Sequence, residues 1–310
     1  MNDTAARPGV VAFSERDETL EEARARNVRD ALAEDIGRGD WTGLLVPAGE
    51  RVAARVLCRE RAVLCGRDWF DAVVRTLDPA ATLRWQVAEG AWMAPDQVVV
   101  QIEAEARALL AAERPALNFI QLLSATATET RRHVDAVAGA SPLPQGVQIL
   151  DTRKTIPGLR QAQKYAVRTG GGHNQRLALW HGILIKENHI AAAGGVAQVL
   201  AAARALAAGV EIQIEVETVE QLREALAHGA SSVLLDNFDL PRMREAVAVN
   251  AAAAVNGTAA LLEVSGSVAL SQLRDIAATG VHRISIGHLT KDLKAVDFSL
   301  RVTGAVAAAD

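Results

Sequence analysis

The sequence predicts a parallel α/β protein, a (β/α) barrel either complete or broken, preceded by a separate α+β domain. Two observations carry this. From about residue 147 onward, short runs rich in Ile, Val and Leu alternate with longer Ala-rich runs at helical spacing, the rhythm of parallel strands joined by helical crossovers. Residues 27 to about 120 break that rhythm and mix strand-like runs with an amphipathic helix. Even spacing of the later strands favours a barrel over a doubly wound open sheet.

The first part offers strands at Arg51 to Cys58, Ala81 to Val87 and Gln97 to Ala104, with turn signals at Ala48-Gly49, Glu89-Gly90 and Pro95-Asp96. A helix is expected over Trp69 to Leu77. A longer one, from about Ala111 to Ala138, joins this part to the barrel, with Pro115 near its beginning, where a missing N–H is tolerated. Barrel strands are expected at Val147 to Leu150, Ile183 to Ile185, Glu211 to Val216, Ser232 to Leu235, Ala260 to Val264 and Arg283 to Ile286. The intervening helices are Leu159 to Arg168, Val196 to Ala208, Val219 to His228, Leu240 to Val249 and Val268 to Ala278.

Composition narrows the function classes. Among 310 residues, 50% are apolar and 23% charged, the balance of a globular domain rather than of a disordered tail. The longest apolar stretch, Ala191 to Val210, carries Gln198 and Arg204 and falls short of a membrane span. A net charge of -4 argues against a nucleic-acid partner, so any positive site must be local. Two cysteines, Cys58 and Cys65, cannot form a zinc site by themselves and fit a reducing compartment, the cytoplasm. The charged N-terminus has no apolar export segment, and the first 20 or so residues are expected as a loosely held arm.

A parallel barrel binds ligands at the C-terminal ends of its strands, so the residues that follow each apolar run are the informative ones. They are Asp151-Thr152-Arg153-Lys154-Thr155, Lys186-Glu187-Asn188-His189, Glu215 and Glu217, Asp236-Asn237, Ser265-Gly266-Ser267 and Gly287-His288. Alternation along the third strand puts Gln213, Glu215 and Glu217 on one face, opposite Ile212, Ile214 and Val216. Carboxylates pointing into a barrel need cations, and Arg153, Lys154 and Lys186 are at hand. Any one of these is ordinarily a solvated residue or a structural ion pair; together they indicate a site for an anion. Gly170-Gly171-Gly172 reads as a helix C-cap and turn or as backbone approaching an anion. Lys186 in isolation also fits a Schiff-base lysine. The seven histidines show no metal-ligand spacing, and His181, His189 and His288 stay open in role.

DTRKTIPGLR (151–160), KYAVRTGGGHNQR (164–176), LIKENHI (184–190), IEVET (214–218), LLDN (234–237), LEVSG (262–266) and ISIGHLT (284–290) together resemble the quinolinate phosphoribosyltransferase family. EDIGRGDWT (34–42) and ERPALNFIQLLSATAT (113–128) resemble its N-terminal signatures, so the likeness covers nearly the whole chain after residue 27. The resemblance implies an open or incomplete barrel with an N-terminal α+β sandwich domain. The implied boundaries are an arm at 1–26, the sandwich at 27–130, the catalytic barrel at 131–290 and a segment at 291–310, with Ala295 to Val302 returning to the first domain.

It also implies transfer of phosphoribosyl from phosphoribosyl pyrophosphate to quinolinate, releasing pyrophosphate and carbon dioxide and giving nicotinate mononucleotide for NAD synthesis. By position in the motifs, Arg153, Arg176 and Lys186 hold the quinolinate carboxylates, with Gln175 and His173 beside them and Arg114 contributed by the partner of a homodimer or higher oligomer. Lys154, Ser265, Gly266, Gly287 and His288 take the phosphates, and Glu215 and Asp236 serve the ribose and Mg2+. The family more often has His where Gln175 stands, so a charge at that position is lost; Gly is usual where Ala125 stands. The rival readings are a phosphoribosyltransferase that uses nicotinate or another base without decarboxylation, a Schiff-base lyase on Lys186 and a silent binding protein.

Overall fold

The computed structural model describes Ser14 and residues 16–306. Its first helix, α1 (Leu20–Ile36), starts at a capping box in which Thr19 Oγ1 accepts the Glu22 N–H at 3.2 Å and the Glu22 carboxylate accepts the Thr19 N–H at 2.9 Å. The arm expected over 1–26 is thereby shortened, because Ala23 of this helix is fully buried. The rest of that expectation, at 1–13, lies outside the described residues.

After α1 come β1 (Arg51–Cys58), β2 (Ala62–Val63), α2 (Arg67–Leu77), β3 (Thr82–Trp85), β4 (Trp92–Met93) and β5 (Gln97–Glu105). β1 and β5 run antiparallel, with Arg51 opposite Glu105 and Cys58 opposite Gln97, and β3 pairs with β5. Ala54, Val56 and Cys58 alternate inward on β1, against a core that includes Trp69, Phe70, Val73 and Val74 of α2.

β5 runs directly into α3 (Ala106–Val137), 32 residues and about 48 Å long. The expected start near Ala111 is too late because the Glu105 carboxylate accepts the Ala108 N–H at 2.7 Å and caps the helix earlier. Pro115 therefore lies inside the helix rather than at its first turn. α3 packs on α1 and α2 and also reaches the barrel.

The barrel elements are β6 (Gln148–Leu150), α4 (Arg160–Thr169), β7 (Gly182–Ile185), α5 (Glu187–Ala193), α6 (Val196–Ala205), β8 (Glu211–Val216) and α7 (Val219–Ala227). Then follow β9 (Ser232–Asp236), α8 (Leu240–Ala254), β10 (Leu261–Ser265), α9 (Leu273–Ala277), β11 (Arg283–Ser285), α10 (His288–Lys291) and β12 (Phe298–Ala305). Six strands pair in parallel in the order β6-β11-β10-β9-β8-β7, so the barrel is incomplete, open between β6 and β7. A single bridge from His173 to Leu150 lies on the free edge of β6. β12 leaves the barrel and pairs antiparallel with β1, Val56 opposite Leu300, completing a sheet in the order β12-β1-β5-β3. A second core, centred on Ile214, Val233, Leu235, Leu262 and Ile284, lies between the parallel sheet and its helices. Among the described residues no helix is long and apolar enough to cross a membrane.

Candidate active site

The strand register sets the functional groups side by side around one rim. On β8, Gln213, Ile214 and Val216 are buried and Glu215 is half-buried, so the strand keeps polar and apolar faces while Glu217 lies past its end and exposed. Lys186 follows β7, the neighbour of β8, and its Nζ sits 3.1 Å from Glu215 Oε2. Burial pushes the Glu215 carboxyl above the usual carboxylate range, Lys186 opposes that shift, and the charges of Asp236 and Glu187 add to it. Asp236 ends β9 opposite Ser265 of β10. Between them Asn237 adopts φ +53° and donates to Asp236 Oδ2 at 2.8 Å. A Cβ on Gly266 would come within 2.7 Å of Asn237 Oδ1, so glycine there lets the β9 and β10 loops close on each other.

The rim continues past β11. A Cβ on Gly287 would lie 3.0 Å from Lys154 Cδ, which brings the loops after β11 and β6 together. Thr290 Oγ1 donates to the Lys154 carbonyl at 2.8 Å and fixes that meeting. The Lys154 side chain itself is exposed.

Next to Lys154 is a concentration of unneutralised positive charge. Arg153 Nε and Nη1 are buried with no hydrogen-bond partner among the described residues. Arg160 donates from Nε to Thr155 Oγ1 at 3.1 Å, and Arg176 donates from Nη1 to the Gly182 carbonyl at 2.7 Å. Burial lowers both of these guanidinium pKa values, and the charge of Arg153 lowers each further. Buried guanidinium nitrogens facing other cations, with no carboxylate to bond them, form a prepared anion site. Arg153 and Arg176 carry a motif signal in the sequence, whereas Arg160 stands at the start of α4, where a cation ordinarily reads as solvated.

A buried ion pair holds these residues. Lys164 of α4 is buried and its Nζ lies 2.5 Å from Asp151 Oδ1 and 2.8 Å from the Gln175 carbonyl. Asp151 in turn accepts the Gln175 N–H at 2.9 Å and Asn174 Nδ2 at 2.6 Å. Burial pushes the Asp151 carboxyl up and the Lys164 ammonium down, with each partner's charge opposing the shift. This buried pair pins the 174–176 segment, and with it the backbone that presents Arg176.

From Gln175 a polar column runs into the barrel. Its Nε2 donates to Gln213 Oε1 at 2.9 Å, and Gln213 Nε2 donates to Glu263 Oε2 at 2.9 Å. Glu263 Oε1 is buried without a partner among the described residues, and burial raises the pKa of this carboxyl. A cleft of about 520 Å3 reaches this column from the open seam between β6 and β7. Strand alternation was the signal for Glu263, since Leu262 and Val264 on either side face the helices.

Other expected residues lie apart. Arg114 is exposed on α3, with no hydrogen bond or ion pair among the described residues. His173 has an exposed side chain; its backbone N–H donates to the Ile149 carbonyl at 2.8 Å. His288 turns its ring toward His133 of α3. The glycine triplet serves packing rather than an anion: a Cβ on Gly170 would meet the Ala127 carbonyl at 2.5 Å, and one on Gly172 would meet Thr130 Cγ2 at 2.7 Å. The Schiff-base reading of Lys186 needs an apolar pocket, whereas its Nζ lies 3.1 Å from the Glu215 carboxylate and its side chain is partly exposed.

Comparison with known proteins gives consistent results. The family model "Quinolinate phosphoribosyl transferase, C-terminal domain" matches residues 126–301, and the corresponding N-terminal domain model matches residues 40–124. The chain is 39% identical to the carboxylating nicotinate-nucleotide pyrophosphorylase of Mycobacterium leprae, over 90% of this chain and 97% of that one. It is 37% identical to the probable carboxylating enzyme of Bacillus subtilis, over 87% and 90% of the two chains. The solved nicotinate-nucleotide pyrophosphorylase of Francisella tularensis superposes with a TM-score of 0.84 at 38% identity, covering 94% of this chain and all of that one (100%).

Proposed function

The chain belongs to the quinolinate phosphoribosyltransferase family, and from that premise we infer how its residues divide the work. The enzyme transfers phosphoribosyl from phosphoribosyl pyrophosphate to quinolinate, releasing pyrophosphate and carbon dioxide and forming nicotinate mononucleotide for NAD synthesis. The observation that carries the assignment of the acceptor site is the pair of buried Arg153 nitrogens, Nε and Nη1, without a partner among the described residues, beside Arg160 and Arg176. A pyridine dicarboxylate supplies the two anionic groups that such a cluster lacks, and guanidinium forks match carboxylates geometrically. Lys186 closes this site from β7, and Gln175 borders it as a neutral hydrogen-bonding group already committed to Gln213.

Lys154, with the backbone at Ser265-Gly266 and Gly287-His288, takes the phosphate groups of the other substrate. Glu215 and Asp236 offer carboxylate oxygens at adjacent strand ends, a hard donor set suited to Mg2+ that also carries substrate phosphates and water. Held by Glu215 and Asp236, such an ion would supply positive charge beside the substrate phosphates. The C1–O bond of the ribose breaks with its electron pair leaving on pyrophosphate, and Lys154 stabilises that charge. The quinolinate nitrogen, held by the arginines, then donates its lone pair to C1. The pyridinium so formed draws in the electrons of the bond to the adjacent carboxylate, which departs as carbon dioxide, and a proton replaces it. The chain's part is orientation and preorganised charge. Arg114, exposed and without an ion pair among the described residues, is placed to serve the site of a second copy in a dimer. The free, buried thiols of Cys58 and Cys65 suit a cytoplasmic setting.

Arg153→Ala tests the acceptor assignment. The expected result is a rise in KM for quinolinate of about a hundredfold, with KM for phosphoribosyl pyrophosphate changed by less than about threefold, because a desolvated charge contact is lost on one side only. Equal losses for both substrates would remove Arg153 from the quinolinate site.

A further inference from the structure

A cluster beside this machinery, sharing with it only the residue His288, has the composition of a metal site. His133, on α3, is fully buried, and His288 opens α10. Their Nε2 atoms face each other at 2.9 Å, with ring centroids 4.9 Å apart. The opposite nitrogen of His133, Nδ1, lies 2.8 Å from the Glu129 carbonyl one helical turn earlier. A proton on Nδ1 donated to that carbonyl fixes the tautomer and leaves Nε2 with its lone pair toward His288, the arrangement in which a backbone carbonyl orients a metal-binding imidazole. The Glu129 carboxylate is the third donor: each of Glu129, His133 and His288 brings one donor atom within 4.8 Å of the other two.

We propose that His133, His288 and Glu129 form a binding site for one divalent transition-metal ion of the zinc or cobalt type, separate from the acidic rim. Two imidazole nitrogens on a tetrahedral ion, each about 2.1 Å from it, stand about 3.4 Å apart. The observed spacing reaches that value by a small rotation of half-buried His288, while His133 stays fixed by Glu129. Nitrogen donors select borderline ions over Mg2+, whose preference is for oxygen. β10 separates the two sites, since His288 follows β11 whereas Asp236 ends β9. The ion would tie α3, which spans both parts of the molecule, to the loop that carries Gly287.

The test is titration of the full-length, tag-free protein with Co2+, read by visible absorption, and with Zn2+, read by thermal unfolding. The expected result is one equivalent of Co2+ giving the intense bands of a low-symmetry site, retained in a large excess of Mg2+, and a melting temperature that rises with Zn2+. His288→Ala, at a half-buried position, should lose both signals while keeping the fold by circular dichroism; His133→Gln should lose them too, and Glu129→Gln should weaken Co2+ binding by about tenfold or more. Absence of bands in the unsubstituted protein, displacement of Co2+ by Mg2+, or bands that survive in His288→Ala would each overturn the proposal.

Discussion

Replacing Lys164 by Met should destabilise the protein by about 3–5 kcal/mol, the cost of leaving a buried carboxylate without its partner. Lys164 and Asp151 are both nearly inaccessible, and their contact at 2.5 Å is supported by Gln175 and Asn174 on the remaining positions. In the variant, burial acts on Asp151 without the opposing charge of Lys164, so the folded protein holds the carboxyl protonated to higher pH than the unfolded chain does. Folding then takes up a proton, and the stability of the variant should fall as pH rises above the ordinary carboxylate range and recover as pH is lowered. Adding Asp151→Asn should restore more than half of the loss, since the uncompensated charge is gone. Denaturant unfolding of the single and double variants across pH measures this. A single variant as stable as the parent would mean that the pair is not what fixes the 174–176 segment.

The second large effect concerns the leaving group. Lys154→Ala should lower kcat by about a hundredfold to a thousandfold, the range seen when one preorganised donor to developing negative charge is removed. The effect belongs in kcat because charge on pyrophosphate grows as the C1–O bond breaks, so the contact strengthens in the transition state. The lysine stem packs against Gly287, and Thr290 holds its backbone carbonyl, so the truncation leaves the loop itself anchored. Steady-state kinetics with both substrates near saturation separates this from a change in KM. An undiminished kcat would assign the pyrophosphate to another group.

The barrel was readable in the sequence because its strands are short apolar runs bounded by polar motifs. Glu211–Val216 is observed with the expected bounds, and the other parallel strands fall within a residue or two of expectation. The rim was readable for the same reason: each run ends in residues that a barrel must present at one edge. Pairing was harder to read. The match of β12 with β1 joins residues some 240 positions apart, and periodicity reports an element's faces but not its neighbours. Lys164 and Arg160 lie on a helix of strongly polar composition, where a cation ordinarily reads as solvated; the loop of 174–176 folding over α4 is what buries Lys164. The glycine triplet posed a converse problem. Its glycines are needed for close approach, but the approaching atoms are those of Ala127 and Thr130 on α3 rather than of an anion. The start of α1 carried a capping signal, Thr19 with Glu22, masked by the charged residues around it.

The central claim is a decarboxylating transfer specific for a dicarboxylate acceptor. It is tested most directly by measuring pyrophosphate and carbon dioxide release from the purified protein with Mg2+ and phosphoribosyl pyrophosphate, comparing quinolinate with nicotinate. The expected result is equal release of both products with quinolinate and neither with nicotinate. Pyrophosphate release with nicotinate, or turnover of quinolinate without carbon dioxide, would contradict the account.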